Sequence, residues 1–95
     1  MAGMEQDFVV VTTDKRGVFA GYYVEGADRA VELRDGQNCL YWSAETRGVL
    51  GLAANGPAAG SRIGPPVSRL MLTGVTSISI ATAEATVKWQ AQPWS

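Results

Sequence analysis

The sequence predicts a mainly β protein of the α+β class. We expect a small, strongly bent antiparallel sheet or barrel-like roll of about six strands, with a short central helix and a C-terminal helix. Short β-branched and apolar runs alternate with turn residues along the chain, which is typical of antiparallel strands. Gly21 interrupts one of these runs and indicates a bulge or bend, the device by which small sheets curl. Only two stretches carry helix start and stop signals.

Four strands are expected in the first half of the chain. The run FVVVTT over residues 8–13 indicates a buried strand, and the polar turn after it predicts a hairpin with a second strand over 18–25. Residues 30–34 alternate between apolar and polar side chains. The tetrapeptide DGQN over 35–38 is a turn signal, so residues 39–42 are expected to form a separate fourth strand. Together these strands predict an antiparallel meander.

The segment 43–68 is expected to be an insertion made of a short helix and a loop rich in glycine and proline. Ser43 or Thr46 can cap a helix over about 47–54. The sequence NGP over 55–57 then ends it, because asparagine and glycine tolerate positive φ and proline does not continue a helix. The remainder of the segment, from residue 58, is expected to be a loop.

Two further strands and a helix complete the predicted fold. Apolar or alternating runs over 70–73 and 75–80 indicate strands on either side of Gly74. Thr82 can cap a helix over 83–91, with Val87 and Trp89 packed against the sheet. Residues 1–6 are expected to be a loose N-terminus, and the 95 residues are expected to form one domain.

Composition argues against several classes of function. With no histidine and a single cysteine, neither a zinc site nor an internal disulfide is expected, and Cys39 is expected to be a small core residue. A net charge of −1 argues against general nucleic-acid binding. No run approaches the roughly 20 apolar residues of a membrane span, and the N-terminus lacks the features of a signal peptide. We therefore expect a cytoplasmic protein with no cofactor.

Charge is unevenly distributed along the chain. Residues 1–45 contain four basic and eight acidic side chains, whereas residues 46–95 contain four basic and one acidic. The basic side chains of the second half can pair with carboxylates of the first half, pair with a neighbouring subunit, or bind a ligand.

A low charged fraction, 18%, together with three tryptophans and three tyrosines, also predicts a homo-oligomer.

Residues 38–65 are the most informative stretch for function. Its glycines expose backbone N–H groups and its arginines match phosphate or carboxylate oxygens, while an aromatic ring can stack on a base. These residue types predict a small, planar, anionic ligand such as a nucleotide. The candidate ligand-binding residues are Tyr41, Trp42, Thr46, Arg47, Asn55, Gly56 and Arg62.

An alternative is that the same residues serve the fold. Adjacent aromatics on a strand point to opposite faces, so at least one of Tyr41 and Trp42 is expected in the core or in an interface. Glycines, prolines and arginines can simply give the loop its shape. No paired carboxylates at a suggestive spacing and no phosphate-binding glycine motif occur, so no catalytic residue is assigned and the protein is not expected to be an enzyme.

Four runs are distinctive: VVVTTDKRGVFAGYYVE, LRDGQNCLYWSAETRGVLGLAANGP, RIGP and LTGVTSISIATAEATVKWQAQPW. Together they resemble a family of short phage and prophage proteins catalogued as a domain of unknown function. The resemblance extends from about Val9 to Trp94 and implies a phage gene product acting in bacterial cytoplasm. It implies no catalytic or binding residue.

In that context the loop composition favours sequestration of a host immune signalling nucleotide, since small phage proteins without catalytic residues act by binding. The alternatives are a protein-interaction or structural component of the phage, or an inhibitor of a host protein.

Overall fold

The computed structural model describes residues 7–14, 17–25, 31–42, 46, 48–58 and 60–91. Its elements in chain order are β1 (Phe8–Thr13), β2 (Val18–Glu25), β3 (Val31–Tyr41), α1 (Gly48–Ala54), β4 (Arg62–Ile63), β5 (Val67–Leu72), β6 (Val75–Ile80) and α2 (Ala83–Ala91). The expectations for residues 1–6, Ser43 and Arg47 concern residues outside this described part.

The six strands form one antiparallel sheet in the order β4-β3-β2-β1-β6, and β5 pairs with β3 as well. β5 and β6 therefore lie at opposite ends of the pairing order although they follow each other in the chain. In a flat sheet four strand spacings would separate them by about 19 Å. The three residue steps from Leu72 to Val75 reach at most about 11 Å, so the sheet must curl. The predicted bent antiparallel sheet with two helices is confirmed, and the sheet is not closed into a barrel.

The sheet has an apolar cluster on each face, and β1 contributes to both. One, the helix-side cluster, joins the strands to α1 and α2; its buried members are Phe8, Val10, Val18, Ala20, Cys39, Leu52, Ala53, Ile63, Ala85 and Trp89. The other, the strand-only cluster, has as buried members Val9, Val11, Val31, Leu33 and Leu72. Because the apolar residues of β1 alternate between the clusters, the continuous run FVVV is buried on both faces.

β3 is one strand of 11 residues where two strands and a turn were predicted. Opposite β2, Ala20 pairs with Gln37 and Tyr22 pairs with Arg34, so β3 holds one residue more than β2 in this interval. The extra residue makes a bulge, and Asp35 takes a φ of 54° within it. The predicted turn over 35–38 was wrong because β2 continues alongside both halves of β3.

The bend predicted at Gly21 is confirmed at this same bulge. A Cβ atom on Gly21 would lie 2.9 Å from Cβ of Leu33 and 3.0 Å from the carbonyl oxygen of Arg34. Only a glycine allows β2 to approach the bulged strand this closely.

Past the bulge, β3 exchanges one neighbour for another. Its first half pairs with β5, and its second half pairs with the two-residue strand β4. The prediction of a loop over 58–68 was therefore wrong, since β4 lies inside it and β5 begins at Val67. A strand of two residues has no alternating pattern of its own, and β4 exists because it covers a free edge of β3.

The two helices are joined through the end of α1. Its last carbonyl oxygens accept hydrogen bonds from α2 and the residue before it. The oxygen of Leu52 accepts from Trp89 Nε1 at 3.1 Å, that of Ala53 from the Thr82 N–H at 2.9 Å, and that of Ala54 from Thr82 Oγ1 at 2.8 Å. These oxygens have no partner inside a helix, so α2 supplies the bonds that α1 cannot make.

α2 covers the predicted residues and begins with the predicted cap. Thr82 Oγ1 accepts a hydrogen bond from the Ala85 N–H at 3.0 Å. Trp89 is fully buried, as predicted, but Val87 is 65% exposed, so its predicted packing against the sheet was wrong. Ala85 and Trp89 are four residues apart and share a helix face, whereas Val87 lies about 200° around the helix from Ala85.

A buried carboxylate links β3 to β5. Glu32 accepts hydrogen bonds from Arg69 Nε at 2.8 Å and Nη2 at 3.1 Å, and from Arg34 Nε at 3.0 Å. The bonds from Arg69 and Arg34 lower the pKa of Glu32 to about 2 against the opposing effect of burial. The expectation that arginines of the second half pair with carboxylates of the first half is thus confirmed for Arg69.

We expect Glu32 to make the protein sensitive to acid. A carboxylate whose pKa falls from 4.5 to about 2 on folding stabilises the fold above pH 4.5. That stabilisation is lost as the pH falls towards 2. Glu32→Gln should lower the free energy of unfolding at pH 7 and should flatten its decline between pH 4.5 and 2, as measured by urea unfolding. Glu84→Gln, on the exposed face of α2, should keep the wild-type decline; equal profiles for all three proteins would contradict this role.

Thr82→Ala should remove both the cap of α2 and a bond to the end of α1. Loss of a threonine cap costs about 0.5–2 kcal/mol of unfolding free energy. We expect a loss at or above that range in chemical denaturation, because the carbonyl oxygen of Ala54 loses its donor as well. Thr73→Ala, at an exposed position between β5 and β6, should change stability by less than about 0.5 kcal/mol. Equal effects of the two substitutions would show that the contact between the helices contributes little.

Candidate functional site

A second bulge in β3 shapes the candidate surface. Cys39 pairs with Ile63 and Tyr41 pairs with Arg62, so two residues of β3 face one residue of β4. Leu40 and Tyr41 are neighbours in the chain, yet they are 55% and 56% exposed. In a regular strand one of them would point into the core. The bulge is the reason that both reach solvent.

Trp42 adds a half-buried aromatic side chain beside these two. It packs against the helix-side cluster, whereas Tyr41 does not, as expected for adjacent aromatics on a strand. Leu40, Tyr41 and Trp42 together line an open cleft of about 330 Å³. One aromatic ring is therefore anchored in the core and the other is free to contact a ligand or partner.

Arg62 lies directly across from Tyr41 on the neighbouring strand. Cβ atoms of such opposite residues are about 4.5–5.5 Å apart, so the guanidinium and the phenol ring share one face of the sheet. Arg62 is exposed, and none of the ion pairs among the described residues includes it. Its charge is available to an external acceptor.

Thr46 holds the loop that carries β4. Only 1% of the residue is exposed. Its Oγ1 accepts a hydrogen bond from the Ala58 N–H at 3.0 Å and lies 3.3 Å from Ser61 Oγ. The hydroxyl thus joins the start of the segment 43–68 to the residues that lead into β4.

Asn55 and Gly56 directly follow the last residue of α1, Ala54. Gly56 has a φ of 85°, and a Cβ there would lie 2.8 Å from Cβ of Lys88 and 3.1 Å from Cα of Ala85. The glycine allows α1 and α2 to approach each other, and the predicted end of the first helix at this position is confirmed. The Asn55 side chain is exposed, and its N–H continues the helical bonding to the oxygen of Gly51 at 2.8 Å.

The structure thus brings three of the seven candidate residues together, namely Tyr41, Trp42 and Arg62. Thr46, Asn55 and Gly56 shape the segment that positions them, and Arg47 lies outside the described residues. Leu40 belongs to the surface but was not among the candidates. Alternation along the strand predicts that it faces away from Tyr41, and only the pairing with β4 reveals the bulge.

The remaining chemistry of the described residues is limited. Burial raises the pKa of the Cys39 thiol to about 11, which makes it a poor nucleophile at neutral pH. No three histidine, cysteine, aspartate or glutamate side chains in the described ranges come together as metal ligands. Among the helices of the same ranges, none has the length and apolar character to cross a membrane.

The chain belongs to the family described as Domain of unknown function (DUF6948), whose model matches residues 6–89. The match includes all six strands, α1 and most of α2. It confirms the resemblance to a family without an assigned function, and the description of the family does not mention phages. Searches of curated proteins and of solved structures gave no match.

Removing the Thr46 hydroxyl should loosen the candidate surface. Thr46→Val preserves the shape of the side chain but leaves the partly buried Ala58 N–H without its acceptor, which costs at most about 1–3 kcal/mol. We expect that loss in the free energy of unfolding, together with faster amide hydrogen exchange at Ala58 and in β4. Thr46→Ser keeps the hydroxyl and should preserve the slow exchange at Ala58. Equal exchange rates in the two variants would show that this bond does not hold the loop.

Proposed function

We propose that this member of the DUF6948 family is a binding protein rather than an enzyme, and that it sequesters a small planar anionic ligand such as a host immune signalling nucleotide. The observation that supports this proposal most directly is the cross-strand pair of Tyr41 and Arg62. It combines an exposed aromatic ring with an arginine that has no ion-pair partner among the described residues.

The two side chains would divide the recognition of a nucleotide between them. An aromatic ring that stacks on a base contributes about 1–3 kcal/mol per base. A guanidinium forms paired, charge-assisted hydrogen bonds with phosphate oxygens. Both residues lie on paired strands, so little conformational freedom of the backbone is lost on binding.

The shape of the cleft supports a homo-oligomer as the binding form. Pockets for small ligands enclose most of the ligand surface in about 300–1,000 Å³. The cleft here has about 330 Å³, but it is open and its described lining consists of Leu40, Tyr41 and Trp42. It covers one face of a base, and we propose that a second copy of the chain covers the other.

A second candidate function is recognition of a protein. Leu40 is 55% exposed, and its aliphatic side chain provides neither charge nor hydrogen bonds for an anionic group. Leucine beside tyrosine, tryptophan and arginine instead provides apolar contact area and anchors of the kind that dominate protein interfaces. The partner would then be a host protein that the chain inhibits, or another component of a phage. The phage context, with the cytoplasm of the host bacterium as the place of action, is part of the proposal.

Native mass spectrometry with cyclic dinucleotides, cyclic trinucleotides and ADP-ribose derivatives tests the first candidate. We expect a defined oligomer that gains integral ligand masses. Arg62→Ala should weaken binding about 10-fold to 100-fold, because a hydrogen bond to a charged group contributes about 1.5–3 kcal/mol. Lys88→Ala removes the same charge from α2 and should bind as the wild type does. The unfolding midpoint of Arg62→Ala should stay near that of the wild type.

Native mass spectrometry and capture from infected cells, both applied to Leu40→Ser, separate the two candidates. Leu40→Ser removes only apolar contact, so it should weaken nucleotide binding less than Arg62→Ala does if the ligand is a nucleotide, but should abolish capture of a partner from infected cells if the ligand is a protein. A wild-type oligomer that gains no ligand mass from any nucleotide would contradict sequestration, and loss of a captured partner in Leu40→Ser would then identify the protein-binding function.

A further inference from the structure

We propose that a second cleft, between the first bulge of β3 and the end of α2, binds the guanidinium or ammonium group of a cationic ligand. Its described lining consists of Asp35, Gln37, Pro66 and Gln90, and its volume is about 180 Å³. The site is separate from the surface around Tyr41 and selects the opposite charge.

Gln37 presents a buried acceptor to this cleft. The residue is only 3% exposed, and its Nε2 donates to the carbonyl oxygen of Gly64 at 3.4 Å. A carbonyl oxygen can only accept, so the amide nitrogen faces Gly64 and Oε1 is left for the cleft. Among the described residues no donor reaches Oε1. Buried amide oxygens are nearly always hydrogen-bonded, so this one is suited to a donor supplied by a ligand.

Asp35 adds a negative charge beside that oxygen. The bulge holds its backbone at a φ of 54°, and its side chain is exposed. The ion pairs formed by described carboxylates involve Glu32 and Glu84, so the charge of Asp35 is not neutralised within this part of the chain.

Gln90 completes the acceptor set from α2. Its Nε2 donates to the Tyr22 hydroxyl at 2.5 Å, which leaves its amide oxygen without a bond in the described structure. The cleft therefore combines the Asp35 carboxylate and the Gln37 amide oxygen with the exposed side-chain amide of Gln90, and its described lining contains no basic side chain. A site of this kind favours a ligand that carries N–H donors and positive charge.

The volume narrows the class of ligand further. About 180 Å³ corresponds to roughly six water molecules at 30 Å³ each. This is enough for a guanidinium and part of an aliphatic chain, but it is below the range of pockets that hold drug-sized ligands. A guanidinium is planar with five N–H donors, and an ammonium has three. The group could belong to an arginine or lysine of a protein, or to a free small amine.

The test uses the full chain and a pair of matched probes. Methylguanidinium and methylurea have nearly the same shape, but only the first is charged. We expect methylguanidinium, at millimolar concentration, to shift the side-chain amide resonances of Gln37 and Gln90 in a saturable way, with methylurea at least tenfold weaker. Asp35→Asn should weaken the binding of methylguanidinium at least tenfold; asparagine also tolerates positive φ, so the bulge should persist. Glu84→Gln should bind methylguanidinium as the wild type does.

Three outcomes would overturn the proposal. Equal affinity for methylurea and methylguanidinium would show that the site does not select for charge. Unchanged affinity of Asp35→Asn for methylguanidinium would show that the carboxylate takes no part in binding. The absence of any resonance shift would mean that only water fills the cleft. The source of the group is decided by comparing a blocked Gly-Arg-Gly peptide with agmatine, a free guanidinium-bearing amine. Tighter binding of the peptide supports a protein arginine, and tighter binding of agmatine supports a small amine.

Discussion

The hydrogen bonds between the end of α1 and α2 are the constraint on which the candidate surface depends. α1 has seven residues and includes two glycines, so it is too short and too weak a helix to persist alone. Its last carbonyl oxygens accept hydrogen bonds from Thr82 and Trp89, about thirty residues further along the chain. Trp89 also fills the helix-side cluster. Docking of α2 therefore orders α1 and the segment that carries β4 to the edge of β3.

The sequence correctly predicted the structural features that depend on residues adjacent in the chain. The apolar run of β1, the hairpin with β2 and the cap at Thr82 are local signals, and each identified its element. What it missed depends on pairing between distant segments. Residues 35–38 resemble a turn, but β2 runs past them and converts them into a bulge. β4 exists only because β3 has an edge to cover.

The same division applies to the candidate site. The types of residue that bind planar anions could be recognised in the chain, but their arrangement could not. Tyr41 and Arg62 are 21 positions apart, and the pairing of β3 with β4 makes them neighbours. The sequence did not reveal the roles of Leu40 and Gln37 for a related reason. A bulge in β3 shifts the alternation of the strand at each position, and this exposes Leu40 and buries Gln37. A glutamine in a strand carries no signal of being a buried, unsatisfied acceptor.

The open seam between β5 and β6 has a mechanical consequence. In a closed barrel, strand number and stagger fix the radius. Here the ends of the pairing order, β5 and β6, are joined by the chain at residues 73–74, and the Asp14 N–H just after the end of β1 donates to the oxygen of Gly74 in that turn at 2.8 Å. The curvature is therefore set by the volume of the strand-only cluster around Leu33 rather than by a closed ring of hydrogen bonds. The radius of the curled sheet can therefore change without breaking the hydrogen bonds between paired strands.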